Sequence, residues 1–354
     1  MPVYNLEFSE FAPSGWSSCV LGQYTPSGAV IPERSAPVII YRELDEIQDL
    51  KGCVVSVGNF DGVHRGHARL LDVLCQTAQK LGVPSLVVTF HPHPAFLLSP
   101  DRAPPPLTWL DRKLTLLSHA GVDRTLVYPT NQQLLEMSPE QFFQEILVTR
   151  LKARAIVEGA DFRFGKDRAG DISLLKLMCS RQGIDCHVVP PVLFNEEPVS
   201  SSRIRQCLLD GKLRDATAML GRPFRTVGRV VRGAGRGSHL GFPTANLNDV
   251  PTLLPREGIY AGIVPLQGRL YPAAISLGGN PTFEECQRKF EVYILDFTGN
   301  LYGHLLEVEF IEYLREIRRY ESVDALIAQM NDDVSQVRTI FERYVAQAKS
   351  DRAA

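Results

Sequence analysis

Between about residues 52 and 190 the chain alternates short apolar runs with longer amphipathic segments. The apolar runs are CVVSV, SLVVTF, RTLVY, ARAIVEG and CHVVP, and segments such as HARLLDVLCQTAQKLG and ISLLKLMCSRQG separate them. Continuously apolar strands that alternate with amphipathic helices are typical of a parallel sheet covered by helices on its faces. The sequence therefore predicts an N-terminal α/β domain.

The pattern changes after the tetrapeptide GRPF at residues 221–224. β-branched and glycine-rich segments follow, among them TVGRVVRG, GIYAGIV and HLLEVEFIEYL, and turn signals separate them. We predict a small antiparallel β-barrel or sandwich, closed by a long helix from about residue 323 to 348. The predicted boundaries are an extension of unknown role at 1–35, an α/β domain at 36–220 and a β domain at 221–350.

Bulk composition excludes several classes of protein. The net charge of −2 leaves no basic footprint for nucleic acid, and no apolar run has the length of a membrane span. Seven scattered cysteines without a CxxC pair argue against a disulfide framework or a structural zinc site. The first residues lack the features of a signal peptide. We expect a cytoplasmic protein, monomeric or weakly homo-oligomeric, with neither nucleic acid nor membrane as a partner.

The segment VGNFDGVHRGH, residues 57–67, joins a predicted strand to a predicted helix. Gly58 and Gly62 allow the backbone to approach a phosphate closely, and the helix N-terminus offers free N–H groups. His64 and His67 lie one helical turn apart, where two imidazoles suit charge that develops on phosphate oxygens. The alternative is a plain strand–turn–helix connection with two exposed histidines.

A second phosphate-binding candidate is VSSSRIR, residues 199–205. Its hydroxyls and N–H groups at a helix start, with Arg205 one turn later, would form a cradle for an anionic group. The alternative is an ordinary N-cap run. The stretch GADFRFGKD has neither the spacing nor the Ser/Thr of a Walker A loop, and we find no GxGxxG motif.

GNFDGVHRGH is similar to the HxGH signature of nucleotidylyltransferases, and its full form resembles the adenylylating module of bacterial bifunctional riboflavin kinase/FAD synthetases. TFHPHP at 89–94, EGADFRFGKDRAGD at 158–171 and VSSSRIR resemble further motifs of that module in the same order. The resemblance implies a Rossmann-like nucleotidylyltransferase domain in which His64 and His67 stabilise the transition state as a phosphate attacks the α-phosphorus of ATP. It also implies a catalytic role for Arg205, nucleotide-binding roles for Gly58, Asn59, Phe60, Gly66, Ser201 and Ser202, and flavin-binding roles for Phe90, Pro92, His93, Pro94, Asp161 and Phe164.

The segment RGAGRGSHLGFPTANL, residues 232–247, lies in a stretch that is rich in arginine and free of acidic residues. Three interpretations apply: a nucleic-acid patch, a solvated basic face, or a phosphate loop in which Gly235 and Gly237 approach one nucleotide closely. GFPTAN, residues 241–246, resembles the PTAN motif of riboflavin kinases, whose fold is a six-stranded barrel. The resemblance implies that Thr244 and Asn246 coordinate Mg²⁺ at the phosphates of ATP.

KFEVYILDF, residues 289–297, also resembles the kinase module and implies that Glu291 is the general base for the ribityl 5′-hydroxyl. The alternative is an outward-facing strand residue. Two features depart from the family pattern: Tyr293 stands where many relatives have histidine, and residues 283–290 replace a glycine-rich stretch.

Together the two resemblances imply a bifunctional enzyme. Its C-terminal module would phosphorylate riboflavin to FMN with ATP and Mg²⁺ and release ADP. Its N-terminal module would adenylylate FMN to FAD and release pyrophosphate. The alternatives are an enzyme with one active module and a non-catalytic flavin or nucleotide sensor. A class I aminoacyl-tRNA synthetase shares an HxGH motif, but the chain shows neither a KMSKS-like segment nor a basic tRNA surface.

Overall fold

The computed structural model describes residues 38–48, 50–233, 235, 237, 240–280, 282 and 285–353. The predicted extension at 1–35 and residues 283–284 of the divergent kinase stretch lie outside these residues. Among the residues described, no helix combines the length and the apolar character needed to cross a membrane.

The N-terminal half is built on a six-stranded parallel sheet with the strand order β1-β4-β3-β2-β5-β8. The central strand β2 is buried along its whole length, which explains its continuous apolar sequence. The ten strands of this half are β1 (Ile39–Tyr41), β2 (Cys53–Val57), β3 (Ser85–His91), β4 (Arg124–Pro129), β5 (Ala153–Gly159), β6 (Arg163–Phe164), β7 (Gly170–Asp171), β8 (Asp185–Val189), β9 (Leu193–Phe194) and β10 (Glu197–Pro198).

Among the described residues of this half, eight α-helices accompany these strands, with short 3₁₀-helices at Leu44–Glu46, Pro100–Arg102 and Lys166–Arg168. The first α-helix begins after the N-cap His64 and ends at Gly82, whose left-handed conformation suits a glycine C-cap. The helices are α1 (Arg65–Leu81), α2 (Ala95–Leu98), α3 (Leu110–His119), α4 (Gln132–Glu136), α5 (Pro139–Gln141, continued by a π-helix, Phe142–Arg150), α6 (Ile172–Gln182), α7 (Ser201–Leu209) and α8 (Leu213–Leu220).

The C-terminal half is a closed antiparallel barrel with the order β11-β12-β15-β14-β13-β16. Along β15 the buried residues Phe290, Val292 and Ile294 alternate with the partly exposed Glu291 and Tyr293, so these two residues lie on the outer face. The strands are β11 (Phe224–Val231), β12 (Ala245–Asn248), β13 (Gly258–Leu266), β14 (Arg269–Asn280), β15 (Glu285–Ile294) and β16 (Leu305–Arg315), and helix α9 (Val323–Ala353) follows them.

Helices α7 and α8 join the two halves. Ile204, Leu208, Met219 and Leu220 belong to the same buried cluster as Phe224 and other barrel residues. The Leu253 N–H also donates to the Pro106 carbonyl at 2.8 Å. The two halves therefore share one continuous core at the end of α8, and the boundary at 220/221 stays a prediction.

The predicted fold class, a parallel α/β sheet followed by an antiparallel barrel and a closing helix, is confirmed. Several short elements were not identified from the sequence, and neither were the edge strand β1, helix α3, and β12, which overlaps the end of the GFPTAN segment. β1 and β12 contain only three and four residues, too few to show a hydrophobic period.

A carboxyl group is buried in the middle of the sheet. Glu158 is 2 % exposed, and its Oε1 accepts a hydrogen bond from the Val57 N–H at 2.6 Å. Burial raises the pKa of Glu158 well above its usual range, and the bond from Val57 opposes this only in part. The folded sheet therefore favours the protonated acid more than the unfolded chain does.

We expect Glu158→Gln to remove a pH-dependent loss of stability. Because the pKa of Glu158 is higher in the folded state, the free energy of unfolding of the wild type falls as pH rises above the pKa of the unfolded chain. Glutamine keeps the acceptor for Val57 and cannot ionise. Urea unfolding of both proteins from about pH 5 to about pH 8 measures both slopes. An equal slope in both proteins contradicts the assignment.

Candidate active sites

Two histidines stack at the N-terminus of α1, beyond the carboxyl end of β2. The His64 and His67 rings lie 3.7 Å apart between centroids and 16° from parallel. His64 is the N-cap, and its Nδ1 accepts a hydrogen bond from the His67 N–H at 3.3 Å. The two imidazoles predicted from the HxGH spacing are therefore in direct contact.

Both imidazoles are held neutral at pH 7. Burial, followed by the charges of Arg222 and Arg205, lowers the pKa of His64 to about 4. Burial, with His64, Lys113 and Arg222, lowers the pKa of His67 well below its usual value. The Nδ1 of His67 is buried without a hydrogen-bond partner among the residues described. Such an electropositive surrounding suits an anionic ligand.

Asp61 connects the histidine loop to two other segments. Its carboxylate accepts hydrogen bonds from the N–H groups of Leu107 and Thr108 at 3.0 and 3.2 Å, and it forms an ion pair with Arg205. The Asp61 carbonyl also accepts a hydrogen bond from the Ser201 hydroxyl at 2.8 Å. Asp61 therefore brings the VSSSRIR segment to the histidines.

This arrangement sharpens the prediction for Arg205. Its guanidinium is engaged by Asp61 and by the Pro105 carbonyl, to which Nε donates at 2.8 Å. It nevertheless lies close enough to lower the pKa values of His64 and His93. Within the same segment Ser201 is partly buried, whereas Ser202 is exposed at the start of α7.

A buried lysine that the sequence analysis missed lies beside the histidines. Lys113 of α3 is 8 % exposed, and its Nζ donates to the Thr89 hydroxyl at 3.4 Å. Its charge lowers the pKa values of His67, His91 and His93, while burial lowers its own pKa. In the sequence, the feature that could have identified Lys113 is a lysine on the apolar face of a helix, but that helix had not been predicted.

The remaining predicted nucleotide-binding residues lie around the same loop. Gly58 follows β2, and its N–H donates to the Val88 carbonyl at 3.0 Å. The Asn59 carbonyl accepts from the Thr89 hydroxyl at 3.2 Å, and Phe60 packs 5.1 Å from the His67 ring. A side chain at Gly66 would place its Cβ 3.1 Å from the His64 ring, so glycine permits that close approach.

The predicted flavin-binding residues occupy different environments. Phe90 packs edge-on against Tyr128 at the end of β3. Pro92 and Pro94 flank His93, whose Nδ1 accepts from the Ala95 N–H at 3.1 Å. Asp161 is exposed.

Phe164 belongs to the core more than to the surface. It is 6 % exposed and lies stacked beneath the partly exposed Phe162, with 5.4 Å between ring centroids. A planar ligand would therefore meet Phe162 first, a residue that the sequence analysis did not select.

The second candidate site is a cavity between the barrel and α9. It contains about 1300 Å³ of empty space including its open mouth. Thr244, Asn246 and Glu291 line it together with Gly235 and Gly237, so the structure brings all five predicted kinase residues to one cavity. Asn246 and Glu291 are direct neighbours across β12 and β15.

The donors in this cavity fit a small hard cation. A Cβ added at Gly237 would lie 3.3 Å from the Thr244 hydroxyl, and one at Gly233 would collide with the Asn246 amide at 2.3 Å. These glycines leave the two oxygen-bearing side chains open to a ligand. Over the described part of the chain, no cluster of three or more His, Cys, Asp or Glu could hold a metal ion. A cation here would depend on neutral oxygens and substrate phosphates, as Mg²⁺ commonly does.

Helix α9 supplies a wall of the cavity that the sequence analysis did not resolve. Arg315 at the end of β16 donates two hydrogen bonds to Asp333 of α9, at 2.9 and 2.6 Å, and Asp333 is 4 % exposed. This buried pair fixes the helix against the barrel. Tyr293 packs edge-on against Phe242 at 5.5 Å between ring centroids, so the departure from histidine places an aromatic ring on the cavity wall.

Family models match both halves of the chain. The model described as FAD synthetase matches residues 46–203, and the model described as riboflavin kinase matches residues 220–341.

Individual relatives also match this chain over most of its length. A protein of Pseudomonas fluorescens named bifunctional riboflavin kinase/FMN adenylyltransferase is 38 % identical over 82 % of this chain and 93 % of its own. A protein of Escherichia coli K12 with the same name is 36 % identical with the same coverage. A crystal structure described as a macrolide-efflux protein from Streptococcus pneumoniae superimposes with a TM-score of 0.75 at 32 % identity, over 85 % of this chain and 98 % of that one.

We expect Asp61→Asn to destabilise the protein by about 3 kcal/mol or more, because it leaves the buried Arg205 guanidinium without its counter-charge. The substitution also replaces one carboxylate oxygen by an amide N–H₂, which cannot accept the hydrogen bonds that the Leu107 and Thr108 N–H groups donate. The control is Asp45→Asn, which breaks the exposed pair with Arg150 and should cost less than about 1 kcal/mol. Urea unfolding of both variants measures the difference, and equal losses would exclude Asp61 as the link between segments.

Proposed function

The chain belongs to the family of bifunctional riboflavin kinase/FMN adenylyltransferases, and we propose that it converts riboflavin to FAD in two steps. The barrel transfers the γ-phosphoryl group of ATP to riboflavin and yields FMN and ADP. The parallel-sheet half transfers the adenylyl group of a second ATP to FMN and yields FAD and pyrophosphate. The stacked pair of neutral histidines at the start of α1 is the observation that carries the second assignment.

In the adenylylation, an oxygen of the FMN phosphate attacks the α-phosphorus of ATP, and the bond to the pyrophosphate oxygen breaks. His64 and His67 donate N–H groups to the oxygens on which negative charge develops. Lys113 lies beside them and supplies positive charge for the two phosphates that must approach each other. Bringing these two anions together is the principal electrostatic cost of the reaction.

The leaving pyrophosphate is held at the start of α7. The free N–H groups of this nine-residue helix and the Ser202 hydroxyl are the donors for it, and the Ser201 hydroxyl joins them only by giving up its bond to the Asp61 carbonyl. Arg205 adds positive charge from its position on Asp61. The flavin ring is placed near Phe90, Pro92, His93, Pro94 and Asp161, with Phe164 supporting Phe162 from below.

In the kinase reaction, the riboflavin 5′-hydroxyl oxygen attacks the γ-phosphorus, the bond from the γ-phosphorus to the bridging oxygen of the leaving ADP breaks, and Glu291 accepts the hydroxyl proton. Gly235 and Gly237 bring the backbone close to the ATP phosphates. Thr244 and Asn246 would hold Mg²⁺, which neutralises phosphate charge when it is bound.

The two active sites can be separated by mutation. His67→Ala should lower FAD formation from FMN at least about 100-fold, since a transition-state donor is lost, and should leave FMN formation from riboflavin within about twofold. Glu291→Gln should have the reverse effect. Chromatography of the products from each direct substrate measures both rates. Loss of both activities in either variant would contradict the two-site assignment.

Lys113→Met should lower kcat/KM for FMN in the adenylylation, by about 10- to 100-fold, because a buried charge near the phosphates is removed while the apolar stem is kept. Lys80→Met in the exposed last turn of α1 is the matched control and should leave kcat/KM within about twofold. Steady-state kinetics at fixed saturating ATP compares the variants. Equal values for Lys113→Met and Lys80→Met would exclude a role for Lys113.

A further inference from the structure

The segment that leads from α8 into the barrel contacts the histidine loop. Arg222 lies between the C-cap of α8 and strand β11. Its Nη1 donates hydrogen bonds to the carbonyl oxygens of Val63 at 3.0 Å and of Leu220 at 3.2 Å. Its Nη2 donates to the carbonyl oxygen of Gly62. One guanidinium therefore holds the two residues that immediately precede His64.

The loop that Arg222 holds has an unfavourable backbone. Phe60, Gly62 and Val63 have φ angles of 47°, 79° and 37°, and the left-handed region is particularly unfavourable for the β-branched Val63. Strained residues persist only where surrounding contacts fix them. Here the Gly62 N–H donates to the Thr108 hydroxyl at 2.8 Å on one side, and Arg222 holds the carbonyls on the other.

Barrel residues surround the other side of Arg222. Arg225 of β11 forms ion pairs with Glu307 and Glu309 of β16. Burial, followed by repulsion from Arg112 of α3 and from Arg225, lowers the pKa of Arg222 to about 9. Arg222 stays charged at pH 7 even so, and its bonds to carbonyl oxygens partly offset the cost of burying that charge.

We propose that Arg222 is a positioning residue for His64 and His67, so that the segment entering the kinase barrel completes the adenylyltransferase site. The proposal rests on the proposed adenylyltransferase function. Arg222 fixes the carbonyls of Gly62 and Val63, and these fix the point at which α1 begins. A displacement of about 1 Å at catalytic groups can cost about 100-fold in rate.

The charge of Arg222 gives an independent readout. Burial is the main reason that the pKa values of both histidines are low; the Arg222 charge is the next cause for His64 and the smallest one for His67. Asp61 is the acidic group of the same loop, and Arg205 already pairs with it. Removing the Arg222 charge should therefore raise the pKa values of both histidines.

Two variants separate position from charge. Arg222→Met removes both the hydrogen bonds to the loop and the positive charge. We expect kcat for FAD formation from FMN to fall about 100-fold, while riboflavin kinase activity stays within about twofold of the wild type. Arg222→Lys keeps the charge, but one ammonium cannot reproduce the fork that spans two carbonyls. We expect its kcat to fall about 10-fold while the histidine pKa values stay low. If Arg222→Met does not fold, Arg222→Lys decides the matter by kcat.

The matched control is Arg214→Met. Arg214 of α8 is exposed and pairs with Glu312 of the barrel at 2.6 Å, so this variant breaks an ion pair at the same junction without touching the loop. It should leave both activities within about twofold, as is usual for an exposed pair. NMR titration of the imidazoles in wild type and variants supplies the pKa values.

The proposal is overturned if both Arg222 variants keep the wild-type kcat for adenylylation. It is equally overturned if kinase activity falls by the same factor, since that marks a general loss of structure. A wild-type protein that makes no FAD from FMN overturns the proposed function instead. The imidazole titration then decides the inference: unchanged pKa values of both histidines in Arg222→Met mean that Arg222 does not act on them, and this result overturns it.

Discussion

The buried carboxylate of Asp61 is the contact on which the N-terminal site depends. It joins the histidine loop to the segment at 107–108 and, through Arg205, to α7. Removal of a single partner would leave a charge buried without compensation, so the arrangement is close to all-or-none. This explains why a turn between a strand and a helix contains an aspartate that faces inward.

The two sites handle phosphate charge in different ways. At the histidine loop the protein provides fixed cations, Lys113, Arg205 and Arg222, around two imidazoles that burial, aided by these charges, holds neutral. In the barrel cavity the predicted residues Thr244 and Asn246 are neutral, and Glu291 across from Asn246 is acidic. Charge neutralisation there would fall to a bound cation. The chemistry of each donor set thus matches the type of transfer proposed for it.

The sequence predicted most of the fold because long strands and helices carry a clear period. The family resemblance assigned the PTAN-like residues and Glu291 to one kinase site, and the structure shows that Asn246 and Glu291 pair across β12 and β15. The sequence did not identify Lys113, because α3 was itself missed, or Phe162, because exposure of a loop aromatic follows from packing. The roles of Asp61 and Arg222 could not be predicted from the sequence, because their hydrogen-bond partners Leu107 and Gly62 lie 46 and 160 residues away in the chain.

The sequence by itself therefore determined the order of the two halves, the alternation of strands and helices, and the residue types that we propose meet phosphate. These are local properties: they depend on hydrophobic period, turn chemistry and the spacing of a few polar side chains. Only the tertiary structure decided that the segment entering the barrel holds the loop of the other half. Hydrogen bonds from a buried guanidinium to carbonyl oxygens have no sequence signature, because every residue supplies the same acceptor.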